Sequence, residues 1–129
     1  MNQPDLERFD ALVRRAYARL PAEFRALCGN VVVHTAEEAE PEILEEMGID
    51  DPLELSGLFE GFAIGETDEA PPNHVHLYRR AILLEAEEEE IDLDELVTHV
   101  LVHEIGHHFG LSDDDMHAIE EAADEDAAP

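Results

Sequence analysis

Apolar residues recur at three- and four-residue steps near the start of the chain: Leu6, Phe9, Leu12, Val13, Ala16, Tyr17 and Leu20. That spacing lays them along one face and predicts an amphipathic helix opening near Pro4. Pro21 breaks or restarts it, and Phe24 and Leu27 carry the apolar face on to Gly29. The pattern then changes. VVVHT, residues 31–35, is a β-branched run suited to a buried strand. Residues 37–48 are acidic and weakly helical, ending at Gly48, and the Pro- and Gly-containing stretch 50–72 reads mostly as loop. Within it LFEGFAIG, residues 58–65, predicts a short strand. HVHLYRRAILL, residues 74–84, predicts a longer strand, followed by a solvated acidic loop over 85–90.

The C-terminal third carries the clearest pattern. Asp92 stands three residues ahead of Glu95, a capping-box-like start. Leu96, Val97, Val100, Leu101, Ile105 and Phe109 then supply the buried face of a helix, and Gly110 sits where a C-terminal glycine is expected. Ser112 can cap a second helix whose apolar stripe is Met116, Ile119, Ala122 and Ala123. From about residue 124 the acidic tail reads as disordered. The expected fold is a single α+β domain over residues 1–129: a small mixed sheet, an N-terminal helix and two C-terminal helices. No internal repeat or dividing linker interrupts it.

Charge narrows the partners. The chain holds 34 acidic residues against 7 basic ones, all arginine, for a formal charge of −27. A field of that sign repels nucleic acid and anionic membranes and favours cationic peptides or metal ions. Solubility or salt adaptation produces the same composition, so charge alone names no function. A single cysteine, Cys28, cannot form an internal disulfide, and it reads as a small buried residue. No stretch resembles a signal peptide or a membrane span, so the expectation is a cytoplasmic chain. Oligomeric state is not readable from these features.

Candidate chemistry concentrates in VHEIGHHFGLSDDD, residues 102–115. His103 and His107, four apart on the predicted helix, lie one turn above each other and can reach one ion. Glu104, about 100° further round, can face water at the metal without ligating. A chain this rich in His and Glu produces His-Glu-x-x-His by chance in roughly one shuffle in ten. Gly110 and Asp113 follow at three-residue steps, and the longer pattern His-Glu-x-x-His-x-x-Gly-x-x-Asp lowers that to about one in a thousand. Glycine can turn the chain sharply, bringing Asp113 back as third ligand with a fourth position open, as in catalytic zinc sites.

HEIGHHFGLSDDDM resembles the metzincin type of zinc peptidase, and is most similar to small bacterial zincin-like metallopeptidases with a minimal metzincin-like fold. The LYRR segment at residues 77–80 and the chain length agree with that group. The resemblance implies His103, His107 and Asp113 as ligands of one Zn2+ per chain and Glu104 as general base. It implies peptide-bond hydrolysis through a Glu-activated zinc-bound water, on a peptide or protein substrate aligned along an edge strand within residues 58–84. The third ligand is Asp where His is commoner, which leaves Asp114 and Asp115 open. Met116 reads either as the methionine beneath the metal or as ordinary core.

The remaining histidines read as supporting residues. His99, His103 and His107 form one stripe, but its ends are two turns apart, about 11–12 Å, so all three cannot share an ion. His99 therefore reads as an edge partner or core residue, and His108 as an outer or surface group. His74 and His76 share one strand face, solvated or ligand-binding. His117 can approach the site from the second helix, and His34 reads as structural. The rival to the peptidase is a non-catalytic acidic interaction module whose metal ties two helices together.

Overall fold

The computed structural model describes residues 3–60 and 73–127, with side chains to Ala123. Helix α1 (Leu6–Arg19) opens on Asp5, whose carboxylate accepts the Arg8 amide at 2.9 Å. Helix α2 (Ala22–Cys28) restarts after Pro21, as proline at a helix start allows. Cys28 is fully buried, its thiol donating to the Phe24 carbonyl, and burial raises its pKa to about 11. Strand β1 (Val31–Ala36) follows, then helix α3 (Pro41–Met47), a 3-10 turn at Pro52–Glu54 and strand β2 (Gly57–Glu60). Residues 61–65 of the expected LFEGFAIG strand lie outside the described residues.

Strand β3 (Asn73–Tyr78) is shorter than expected: helix α4 (Arg79–Glu89) replaces the rest of the 74–84 strand and most of the acidic loop over 85–90. The physical reason lies in the residues. After Tyr78 the β-branched and aromatic content falls to Ile82 alone, and Arg, Ala, Leu and Glu are all good helix formers. Helical spacing also lets Ile82 and Ala86 turn into the core together.

Helices α5 (Leu93–His108) and α6 (Asp113–Ala127) complete the chain, and α6 extends into the stretch read as a tail. Asp92 is the N-cap of α5, but its side chain makes no capping bond, so the expected capping box is not formed there.

The sheet order is β1-β3-β2, with β1 parallel and β2 antiparallel to β3. Register assigns its two faces. Val33, Val75 and Leu77 face the main core, against Phe9 and Val13 of α1 and Val97, Leu101 and Ile105 of α5. Ala36, Tyr78 and Leu58 face the other way, onto a smaller cluster with Leu44 and Leu55. The architecture is the expected α+β fold with a small mixed sheet, an N-terminal helix and two C-terminal helices. No helix among the described residues is long and apolar enough to cross a membrane.

Candidate metal centre

Seven residues of α5 are buried: Leu96, Val97, Val100, Leu101, Val102, Ile105 and Gly106. Several are β-branched and indifferent helix formers, so core packing holds this helix more than propensity does. His103, Glu104 and His107 all stand on it, one turn from its end. That end is fixed by two backbone bonds, Leu111 N–H to Gly106 O at 2.9 Å and Gly110 N–H to His107 O at 3.2 Å. This Schellman closure needs a left-handed residue, supplied by Gly110 at φ 73°. Ser112 then caps α6 reciprocally: its hydroxyl accepts the Asp115 amide at 3.1 Å and the Asp115 carboxylate accepts the Ser112 amide at 3.3 Å. The chain thus folds back within four residues, and α6 lies alongside α5.

Gly106 lets the two helices meet closely. A Cβ there would stand 2.5 Å from Met116 Sδ, and Met116 is fully buried. Met116 is therefore core between the helices, directly against the His-Glu-x-x-His turn.

The expected site residues divide by position. His103 is half-buried, with Nε2 3.4 Å from Glu120 Oε2. The His107 ring is exposed and stands 5.6 Å from the His103 ring, at 85° to it. Glu104 points to β2: a Cβ on Gly57 would lie 3.3 Å from its Cγ, so glycine at Gly57 gives the carboxylate stem room against the edge strand. Burial raises the Glu104 pKa, and His107 partly offsets the rise. Asp113, the first residue of α6, is exposed and lines a cavity of about 740 Å³ together with His99, His103, Asp114, His117 and Glu120. Asp115 serves the cap and lines a different groove, with Phe24 and Ile119.

Among the described residues, the trio whose donor atoms all lie within 4.8 Å of one another is His99, His103 and Glu120. Glu120 accepts from both rings, at 2.7 Å from His99 Nδ1 and 3.4 Å from His103 Nε2. His107 and Asp113 stand outside this trio. His99 joins His103 through a carboxylate of the second helix, not through His107. Glu120 has no place in the sequence-derived site, yet the signal is there: with a hairpin turning at Gly110, residues ten or so beyond it come level with residues about ten before it. Elsewhere, His117 pairs with Glu121 at 3.0 Å, and His108 lies against Phe59 with ring centroids 4.6 Å apart.

Imidazole nitrogens and carboxylate oxygens converging from two helices are a donor set suited to zinc. An α+β fold with His-Glu-x-x-His on a core helix defines a class of metal-dependent hydrolases. The family profile of zincin-like metallopeptidases matches residues 28–123, and the chain belongs to that family. Comparison with curated proteins returns no match.

Proposed function

We propose that this protein hydrolyses peptide bonds, with His103, His107 and Asp113 holding one zinc and Glu104 acting as general base. The observation that carries this reading is the position of Glu104. It follows His103 on the same helix and is partly buried against the edge strand. Zinc, when bound, supplies Lewis acidity toward water and the scissile carbonyl. Glu104 accepts the proton of the attacking water and returns it to the leaving amine.

Strand β2 is an edge of the described sheet and lies against α5, so an extended substrate can add alongside it by main-chain hydrogen bonds. The cavity lined by His103 and Asp113 also carries Glu85, Glu89, Glu95 and Glu121 besides the residues named above. That lining favours peptides with lysine or arginine, an attraction that salt screens.

A second reading rests on the proximity of His99, His103 and Glu120: a zinc that joins α5 to α6 without catalysis. Zinc content measured by mass spectrometry on untagged protein separates the two. In the peptidase reading His103→Ala, His107→Ala and Asp113→Ala each bind one zinc fewer, and Glu104→Gln keeps the zinc while losing peptide hydrolysis. Loss confined to His99→Ala, His103→Ala and Glu120→Gln selects the joining role. Hydrolysis that survives in metal-loaded Glu104→Gln sinks the assignment of the base.

A further inference from the structure

Three of the eight histidines are gathered far from the His-Glu-x-x-His turn in the order of the fold. Register places His34 of β1 directly across from His76 of β3, and Glu60 of β2 directly across from His74. All four residues share one sheet face, opposite to the one on which Gly57 meets Val100 and Glu104. At one end this face is covered by the Leu44–Leu55 cluster, while His34, His74 and His76 remain half-buried beside it.

Their contacts are short. His34 Nε2 is 2.8 Å from His74 Nδ1, and His76 Nε2 is 3.0 Å from Glu60 Oε1. The His34 and His76 rings stack with centroids 4.6 Å apart and planes 12° off parallel. Apolar side chains would serve a sheet surface more cheaply than three clustered imidazoles, because each ring nitrogen taken from water must find a partner.

We propose that His34, His74 and His76, with Glu60, form a second site for an imidazole-preferring divalent transition ion such as Zn2+, separated by the sheet from the His-Glu-x-x-His helix. Three imidazoles and a carboxylate match the donors zinc takes in tetrahedral sites. The donors stand as two hydrogen-bonded pairs rather than around one point, so binding requires the imidazoles to turn about χ2, a torsion with broad preferences in histidine. Since the donors come from all three strands, the ion ties both outer strands to β3 and stabilises the sheet by mass action.

The test uses the full-length chain carrying His103→Ala and Asp113→Ala, titrated with zinc chloride and read by native mass spectrometry and imidazole ¹⁵N–¹H NMR. One zinc per chain is expected, with the His34, His74 and His76 ring resonances shifting together. Adding His34→Gln and His76→Gln then weakens that binding more than about 100-fold, beyond the loss an outer hydrogen-bonding partner causes. The same resonances, followed in the unsubstituted chain as a second equivalent of zinc is added, read the site even if the added substitutions disturb folding. No uptake, or uptake that moves only histidines of α5 and α6, overturns the proposal.

Discussion

At the scale of single residues, Gly106 and Met116 pack so closely that a Cβ on the glycine would have no room. The side chain of Met116 fills the space a Cβ at Gly106 would occupy, and being fully buried it can shift only by displacing its core neighbours. Gly106→Ala gains up to about 1 kcal/mol of helix propensity. It loses more through overpacking, which costs roughly 1–3 kcal/mol. Net destabilisation by about 1 kcal/mol in urea titration is the expected result, while Met116→Ala alone costs about 2–5 kcal/mol through the cavity it leaves. The two changes are coupled, so in Met116→Ala protein the Gly106→Ala step turns neutral or stabilising; simple additivity would refute the contact. This residue pair also shows what the sequence discloses and what it withholds. Met116 was readable as core from helical spacing, but its partner was not, because Gly106 offers no side chain for a pattern to register. Glu120 was hidden for a related reason. As one acid among 34, it acquires meaning only when the hairpin sets it opposite His99 and His103.

Among the elements, the α5–α6 hairpin decides where Asp113 stands. The Schellman closure at Gly110 and the reciprocal cap between Ser112 and Asp115 fix both ends of the turn, and Asp113 is the first helical residue after it. Ser112→Ala removes one of the two capping bonds and is expected to cost about 1 kcal/mol of stability. If Asp113 is a zinc ligand, the same change also weakens zinc binding, through the ligand's looser placement. Calorimetric titration on folded protein checks it: an unchanged zinc affinity alongside the stability loss removes Asp113 from the ligand set. Both ends of this hairpin were legible, since Gly and Ser are local signals of chain reversal and capping. The strand-to-helix change at Tyr78 was not. HVHLY and RRAILL are both rich in apolar residues, and a short apolar run does not distinguish a strand from a buried helix turn. The decision there came from tertiary packing, which carries Ile82 into the core only if the chain coils.

For the whole molecule, the dominant force still unaccounted for is its own charge. With 34 acidic groups and 7 arginines, few carboxylates can find a cation. Arg14 holds Asp10, Arg79 lies by Glu37 and Arg80 by Glu38, and all of these pairs are at least partly exposed and individually weak. The acids of α4 run toward its C-terminus, where the helix dipole also disfavours them, and Glu85 and Glu89 face the same cavity as Asp113 and Glu120. Compaction therefore works against repulsion, and salt relieves more of it than it screens of attraction. Raising sodium chloride from low concentration to about 0.15 M, where the Debye length falls to about 8 Å, should increase thermal stability. A relief of about 1 kcal/mol corresponds to a rise of roughly 4 °C for a domain of this size. The shape of the curve identifies the cause. Screening gives a steep rise that flattens once the Debye length is shorter than the spacing between carboxylates, whereas exclusion of salt from the surface continues to stabilise up to molar concentrations. A melting temperature that falls with salt would mean that the few ion pairs outweigh the repulsion. The acidic cavity would then be held together by its partners, with no standing demand for a cation.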